Sequence, residues 1–460
     1  MAASFFTDLL ATISERGRSL IDWREPRPAG EQRATLLVDL AEALLSRRGE
    51  ASGVAIAGEI LSAYARFTSG PRVAFFEALA RRFGPKEAEL DAALAAYRET
   101  GSEEAAQRLH LASEPRRQEL FRRLNLAPGG TQALVSMRQD LLDMLDCRPD
   151  LSVVDRDLNH LFSSWFNRGF LVVRRIDWTT PAHILEKIIR YEAVHEISDW
   201  NDLRRRLEPA DRRCFAFFHP ALADDPLIFV EVALTREVPA GIGPLLAPER
   251  KPLPTQEATT AVFYSISNCQ EGLRGISFGN FLIKQVAEEL KREVPNLDTF
   301  ITLSPAPDFS AWLTGERAAD EPSGLTRDDR EALRGLDEPG WVTDPAKAEA
   351  VQKPLLAAAA FYYLRAKTAR GRPLDPVARF HLGNGARLER LNHLGDVSPK
   401  GLRQAHGLMV NYRYDLDAIE KNHEAFANHG TVIASNPVTR LLRSDLPSRA
   451  PAPVEETAPR

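Results

Sequence analysis

The first third of the chain carries apolar residues at the three- and four-residue steps that are typical of amphipathic helices. Leu37, Leu40 and Leu44 form one such stripe, and a similar stripe includes Leu141. Glycine and proline follow these stretches where helices are expected to end. Strand-like alternation does not begin before about residue 169. The pattern therefore predicts an all-helical bundle whose apolar stripes pack inward.

Short runs of β-branched and aromatic residues begin at about residue 169 and change the pattern. Four of these runs have the length of strands and are bounded by turn residues: Phe215–Phe218, Leu227–Leu234, Ala261–Ser267 and Thr299–Leu303. Between the third and fourth runs, apolar residues from Leu282 to Leu290 recur at four-residue steps and Pro295 follows, which predicts a helix. The order strand, loop, helix, strand predicts a mixed α/β layer with a crossover helix.

These patterns divide the chain into three parts. We expect a helical domain over 1–168, a mixed α/β domain over 169–443 and, from its composition, a disordered tail over 444–460. Within the second part, the polar and acidic stretch 315–353 predicts an insertion or a set of short surface helices. A strong helix is predicted from Pro354 to Lys367.

Composition narrows the class of protein. A length of 460 residues with 44% hydrophobic content is enough for two domains, each with its own core. Charged residues are nearly balanced at a net charge of -5, which argues against a general nucleic-acid binder. The three cysteines, Cys147, Cys214 and Cys269, include no C-x-x-C pair, so we assign them no metal and expect a reducing compartment.

The chain also gives a prediction about location. Its first residues lack a basic start followed by an apolar core, and they carry Asp8 and Glu15. No apolar run approaches the ~20 residues needed to cross a bilayer. We therefore expect a soluble, cytoplasmic protein that does not associate with membranes.

A glycine-bearing loop connects the third predicted strand to the helix that begins near Leu282. Its glycines allow close approach of the backbone to a ligand, and the helix N-terminus offers free N–H groups to an anion. Arg274 adds a positive charge at the same place. The loop therefore predicts a site for phosphate or pyrophosphate, and a loop that only makes a turn also fits the pattern.

The same loop contains the pattern G-x-S-x-G at Gly275, Ser277 and Gly279, which is the nucleophile-elbow signature of serine esterases. That elbow requires a strand that leads directly into the serine. Here the apolar strand ends near Ser267, and polar and glycine residues fill the gap. An esterase with Ser277 as its nucleophile is therefore an alternative that the local context does not favour.

Two further residues are candidates for chemistry. Ser304 follows the fourth predicted strand and precedes Pro305, at a strand end where α/β sheets place ligands. His381 precedes the turn signal Asn384-Gly385. Taken singly, a serine that satisfies a backbone group at a turn and a structural histidine are the favoured interpretations of these positions.

The motifs together resemble the malonyl-CoA decarboxylase family over about residues 170–442. The resemblance rests on four ordered stretches: FYSISNCQEGLRGISFGNFLIKQV, TLSPAPDFSAWL, ARFHLGNGARLERLNHLGDVSPKGL and GLMVNYRYDL. It implies an α+β fold class, in which an N-terminal all-helical bundle domain precedes a GNAT-like mixed α/β catalytic domain. It also implies a homo-oligomer, a dimer or tetramer that assembles through the helical domain.

The resemblance also implies a set of site residues. The family's catalytic serine and histidine fall on Ser304 and His381, and Tyr414 is a weaker candidate for the site wall, where core packing is the competing interpretation. The family's acyl-CoA loop falls on Arg274, Gly275, Ile276, Ser277, Phe278, Gly279 and Asn280. This chain has Ser277 where eukaryotic members have a glutamate, so a role for that acid does not transfer.

The reaction implied is the conversion of malonyl-CoA to acetyl-CoA and carbon dioxide, in fatty acid metabolism. Ser304 is expected to orient the carboxylate, and His381, titrating near neutrality, to protonate the enolate as a general acid. Backbone N–H groups of the glycine loop are candidates for the thioester oxygen and the pyrophosphate. No metal or organic cofactor is expected, because the thioester itself takes up the electrons and coenzyme A is part of the substrate.

Three alternatives stay open at this point. A GNAT-like acyltransferase, moving an acyl group from coenzyme A to an amine, shares the fold and the loop. A serine esterase follows from the pattern around Ser277. A non-enzymatic interaction module built on the helical bundle leaves Ser304 and His381 unexplained.

Overall fold

The computed structural model of the chain describes residues 30–46, 49–222, 224–276, 278 and 282–443. The tail predicted to be disordered, 444–460, lies outside these residues. The chain divides into two compact units, each made of three chain segments. We call them the helical unit (Met1–Val172, Phe218–Leu227, Gln270–Phe278) and the sheet unit (Val173–Phe217, Ile228–Cys269, Gly279–Arg460).

The helical unit is built from amphipathic helices, as the sequence predicts. Its helices in the described residues are α1 (Gly30–Leu45), α2 (Glu50–Ala65), α3 (Ser69–Arg82), α4 (Glu87–Thr100), α5 (Glu103–Ser113), α6 (Arg116–Asn125), α7 (Gly130–Leu142) and α8 (Ser152–Trp165). The predicted stripe of Leu37, Leu40 and Leu44 is buried, and so is Leu141. The apolar faces therefore form the core of this unit.

The strands of the described residues form one mixed sheet. They are β1 (Val172–Ile176), β2 (Arg212–Phe218), β3 (Pro226–Thr235), β4 (Thr260–Asn268), β5 (Thr299–Thr302), β6 (Ser304–Pro305), β7 (Arg387–Asn392) and β8 (Met409–Tyr414). The order across the sheet is β1-β2-β3-β4-β5-β8-β6, and β7 also pairs with β8. The predicted fold class, a helical region followed by a mixed α/β domain, is confirmed.

Helices connect and cover these strands. They are α9 (Ala182–Tyr191), α10 (Trp200–Leu207), α11 (Gly243–Leu246), α12 (Leu282–Glu293), α13 (Phe309–Ala318), α14 (Arg327–Ala332), α15 (Pro345–Leu364), α16 (Pro376–Gly383), α17 (Pro399–Ala405), α18 (Ile419–His429) and α19 (Asn436–Thr439). The predicted start of α15 at Pro354 is wrong, because the helix begins at Pro345. Asp344 caps it by accepting hydrogen bonds from the N–H groups of Ala346 and Lys347, and Pro354 lies inside the helix.

Strands β4 and β5 separate part of the way along the sheet. They pair in parallel from Thr260 with Thr299 to Phe263 with Thr302, where β5 ends while β4 continues to Asn268. The pairing of β3 with β4 shifts register beside Tyr264, which is a β-bulge. Beyond the separation, the short strand β6 pairs with β8 instead. A gap therefore forms between the second half of β4 and the start of β6.

Among the described residues, no helix is both long enough and apolar enough to cross a membrane.

Candidate active site

A cavity of about 230 Å³ lies beside the second half of β4, at the start of β6. Most of its walls are apolar, and a few polar side chains reach it. The lining residues are Val194, Phe263, Tyr264, Ile266, Asn268, Ser304, Pro305, Pro376, Val377, Phe380 and His381. Apolar walls with a small number of placed polar groups are typical of sites that bind small organic ligands. Ser304 and His381, chosen from sequence, both line it.

The hydroxyl group of Ser304 is held by two partners. Its Oγ lies 3.0 Å from Nε2 of His381, and it donates a hydrogen bond to Oγ1 of Thr302 at 2.9 Å. Thr302 Oγ1 also accepts from the Tyr412 N–H at 3.1 Å, and the Thr302 carbonyl accepts from Asn411 Nδ2 at 2.7 Å. Since Ser304 is only 5% exposed, its position is determined by this network on β5 and β8.

The imidazole of His381 is fixed by α16 and by β8. Asp375 caps this helix by accepting a hydrogen bond from the Ala378 N–H at 2.7 Å, and His381 lies in the last turn. The ring stacks on Tyr412 with centroids 4.6 Å apart, and Nδ1 lies 2.8 Å from the Tyr414 hydroxyl. Both ring nitrogens therefore have one partner each, and the ring has one orientation.

Burial determines the charge of this histidine. His381 is 3% exposed, and the loss of hydration lowers its pKa to about 3. The ring is therefore neutral at pH 7. The expectation that His381 titrates near neutrality does not hold for this structure, because a cation here loses its water without gaining a carboxylate partner.

The hydrogen bonds of Tyr414 select the tautomer of His381. Burial raises the pKa of Tyr414, so its hydroxyl is a neutral donor. Within the described residues its partner is Nδ1 of His381. If Nδ1 carried the proton, the buried Tyr414 hydroxyl would lose its acceptor there, at a cost of about 1–3 kcal/mol. The proton therefore resides on Nε2, which donates to Ser304, and the chain of donors runs from Tyr414 through His381 and Ser304 to Thr302.

The described part of the glycine loop belongs to the helical unit, whereas Ser304, His381 and Tyr414 lie together in the sheet unit. Arg274 is half-buried and Gly275 is exposed with a φ of +80°, a conformation that favours glycine. Ile276 and Phe278 are buried. The remaining predicted loop residues, Ser277, Gly279 and Asn280, lie outside the described residues.

The structure does not provide the strand that a serine esterase needs before Ser277. Strand β4 ends at Asn268, and a short 3-10 turn at Glu271–Leu273 intervenes. The nucleophile elbow requires the strand to run directly into the serine. The G-x-S-x-G pattern in this loop therefore lacks its structural context.

Sequence reasoning did not assign roles to Thr302, Asn411 and Tyr412. Thr302 precedes Ser304 by two residues, so an extended backbone places both side chains on the same side. That spacing was a usable signal. Asn411 and Tyr412 lie in a motif that was recognised, but their contacts with Thr302 and His381 depend on the pairing of β5 with β8. In the described residues, no three or more His, Cys, Asp and Glu side chains group to hold a metal ion.

Both parts of the chain match models of known protein families. Residues 169–452 match the malonyl-CoA decarboxylase C-terminal domain, and residues 83–166 match the malonyl-CoA decarboxylase N-terminal domain. Among curated proteins, the chain is 37% identical to the mitochondrial malonyl-CoA decarboxylase of Anser anser anser, over 79% of this chain and 78% of that protein. It is also 37% identical to that of Rattus norvegicus, over 74% and 73% of the two chains.

The structure of this chain is similar to two crystal structures of bacterial malonyl-CoA decarboxylases. The protein from Rhodopseudomonas palustris has a TM-score of 0.86 and 59% identity, covering 88% of this chain and 99% of that one. The protein from Agrobacterium vitis has a TM-score of 0.85 and 60% identity, covering 89% of this chain and 100% of that one. The similarity thus extends through both the helical and the mixed α/β parts.

Proposed function

Since the chain belongs to the malonyl-CoA decarboxylase family and is a carboxy-lyase, we propose that it decarboxylates malonyl-CoA. In this proposal, Ser304 and His381 carry out the reaction. The observation that supports this most directly is the buried hydrogen bond of 3.0 Å between Ser304 Oγ and His381 Nε2. Both side chains line a cavity in the sheet unit. The products are acetyl-CoA and carbon dioxide.

The chemistry requires three things of the protein. When the bond to the carboxylate breaks, its electron pair moves to the α-carbon and on to the thioester oxygen, forming an enolate. Hydrogen-bond donors must stabilise that oxygen as charge develops. The carboxylate must also lie out of the carbonyl plane, so that the breaking bond overlaps the π system. Finally, a proton must reach the α-carbon.

Ser304 orients the carboxylate in this proposal. Its hydroxyl hydrogen points to Thr302 in the structure and rotates to the carboxylate when the substrate binds, while Nε2 of His381 still contacts its oxygen. The side chains of Val377 and Phe380 line the same cavity and form an apolar wall beside it. An apolar wall favours the loss of charge from the carboxylate as neutral carbon dioxide forms.

His381 supplies the proton. Decarboxylation consumes one proton per turnover, since a carboxylate anion becomes neutral carbon dioxide and the α-carbon gains a hydrogen. The bound carboxylate raises the pKa of the neutral His381, because an opposite charge nearby favours the cation, and Nδ1 takes up one proton that comes from solvent water. After carbon dioxide leaves, the N–H bond of the imidazolium breaks and the enolate electron pair forms the new C–H bond. Tyr414 keeps the ring in place through Nδ1, as the donor to the neutral ring and as the acceptor from the imidazolium.

The glycine loop is proposed to bind the coenzyme A part of the substrate, over Arg274 to Asn280. Arg274 brings a positive charge, and Gly275 allows the backbone to approach a pyrophosphate closely. The thioester serves as the electron sink, so the step calls for no metal or organic cofactor. Assembly into a dimer or tetramer, a cytoplasmic location and a place in fatty acid metabolism stay predictions.

Product analysis tests the proposed reaction. Malonyl-CoA carrying ¹³C in its free carboxyl group is incubated with the protein alone in D₂O and followed by mass spectrometry. We expect the label to leave as carbon dioxide and acetyl-CoA to contain one deuterium. In a parallel incubation with an added amine, malonyl transfer to that amine without release of labelled carbon dioxide would instead indicate an acyltransferase.

Removing the hydroxyl of Thr302 is expected to slow the reaction without stopping it. In Thr302→Val, the Tyr412 N–H loses its acceptor, and the ring that stacks on His381 loses one fixed contact. We therefore expect kcat to fall about 2–10-fold, as for the loss of one neutral hydrogen bond. The steady-state rate of carbon dioxide release measures this. Thr302→Ser keeps the Oγ and should retain the wild-type kcat. Equal losses in the two variants would contradict the role of the oxygen.

A further inference from the structure

We propose that Arg138, on helix α7, is a positioning residue that sets the conformation of the loop around Arg274 and thereby the affinity for malonyl-CoA. The inference rests on the proposed role of this loop in binding coenzyme A. The residues that carry it, Arg138, Asp155 and the loop segment Gln270–Ile276, all belong to the helical unit.

The guanidinium of Arg138 is buried and has specific partners. Its side chain is 2% exposed. Nη1 donates to the carbonyl of Gly272 at 2.8 Å and to the carbonyl of Arg274 at 2.9 Å. Nε donates to Oδ1 of Asp155 at 2.8 Å, which fixes the plane of the guanidinium. One arginine thus joins two carbonyls of the loop, two residues apart, to helix α8.

Gly272 holds the loop close to the same helix. A Cβ atom at this position would lie 1.9 Å from the Val135 carbonyl oxygen on α7, so only glycine fits. The loop backbone therefore lies directly on α7, within reach of Arg138. The next glycine, Gly275, has a φ of +80° and turns the chain.

These contacts determine where one N–H group of the loop points. The carbonyl of Arg274 and the N–H of Gly275 belong to one planar trans peptide and point in opposite directions. Because Arg138 binds that carbonyl, the Gly275 N–H is directed away from α7. Within the described residues, no backbone carbonyl accepts a hydrogen bond from it. A donor held in this way, beside the charge of Arg274, suits an oxygen of a pyrophosphate.

The experiment measures KM and kcat for Arg138→Met with two substrates. Methionine keeps much of the apolar bulk and removes every donor. For malonyl-CoA we expect KM to rise about tenfold with kcat within about twofold, as for one lost hydrogen bond to a charged group. For malonyl-pantetheine, which lacks the pyrophosphate, KM should stay at the wild-type value. A purely structural loss lowers the amount of folded enzyme and does not separate the two substrates.

Arg117→Met is the matched control. Arg117 is also a buried arginine of the helical unit, and it pairs with Asp157, on the same helix as Asp155. Its other contact is the carbonyl of Leu79, so it does not touch the loop. We expect a similar loss of stability from urea unfolding in both variants, and a wild-type KM for malonyl-CoA in Arg117→Met.

A second variant, Gly272→Ala, tests the same inference if Arg138→Met does not fold. Gly272→Ala keeps Arg138 and displaces the loop from Val135, so it should also raise the KM for malonyl-CoA. Gly70→Ala is its control, since a Cβ there meets nothing within 4 Å. Wild-type KM values in both Arg138→Met and Gly272→Ala would overturn the inference.

Arg274→Ala separates this inference from the proposed function of the loop. If Arg274→Ala raises the KM for malonyl-CoA while Arg138→Met and Gly272→Ala do not, the loop binds coenzyme A and the role of Arg138 is wrong. If Arg274→Ala leaves KM unchanged, the assignment of the loop itself is wrong, and the inference fails with it.

Discussion

Replacing His381 with asparagine is expected to lower kcat for malonyl-CoA by about 10²–10⁴-fold, the range for loss of a general acid. Asparagine cannot carry a proton to the enolate, although it keeps a polar side chain in the buried site. Ser304→Ala should lower kcat by at least about tenfold, since a hydrogen bond to a charged group is lost. Carbon dioxide release measures both rates, and far-ultraviolet circular dichroism checks that the variants are folded.

The chain offers a matched control for this pair. Ser310 Oγ lies 3.0 Å from Nε2 of His406, the same separation as between Ser304 and His381. This second pair lies in the sheet unit but does not line the cavity of Ser304. His406→Asn and Ser310→Ala should therefore retain kcat within about twofold, because neither half-buried side chain lines the cavity. Wild-type activity in His381→Asn would show that the proton comes from elsewhere.

The second large effect is on the dependence of kcat/KM on pH. The pKa of His381 is lowered to about 3, so roughly one ring in 10⁴ is protonated at pH 7. That fraction grows tenfold for each unit by which the pH falls. If the imidazolium donates the proton, log(kcat/KM) should decrease by about one unit per pH unit between about pH 5 and 8. The expected change over this range is therefore about a thousandfold.

A comparison with acetyl-CoA isolates the contribution of His381. Acetyl-CoA has the same coenzyme A phosphates but no carboxylate, so its binding does not draw a proton to His381. We divide kcat/KM for malonyl-CoA by the affinity for acetyl-CoA, which is the reciprocal of its inhibition constant. The logarithm of this ratio should still decrease by about one unit per pH unit. A ratio that does not change with pH would mean that the step from substrate binding to loss of carbon dioxide proceeds with neutral His381.

The outline of the fold could be predicted from local patterns. The run Ala261–Ser267 corresponds to β4 (Thr260–Asn268), because a buried strand shows itself as a short β-branched and aromatic run. Strands β7 and β8 were not predicted. Their sequences, RLERLN and MVNYRY, carry charged and amide side chains that find partners only after the strands pair. Arg390, for example, donates to Asn411 across the two strands.

The candidate site was predictable only in part. Ser304 and His381 were identified through ordered motifs, and the structure places them in one cavity. The signal from each residue alone was weak, because the two are separated by 77 positions along the chain. The roles given to Thr302 and Arg138 depend on contacts across β5 with β8 and across α7 with the loop. Sequence spacing does not determine such contacts between distant segments.

The sequence by itself determined the helical first third, the mixed α/β region after about residue 169, and the family, because periodicity and ordered motifs are local properties of the chain. The tertiary structure decided the chemical state of the site. It buries His381, and the lost hydration lowers the pKa of that ring to about 3. It also places Tyr414 on Nδ1, which puts the proton on Nε2 beside Ser304. Charge and tautomer depend on solvent exposure and on neighbours from distant segments, and these exist only when the chain is folded.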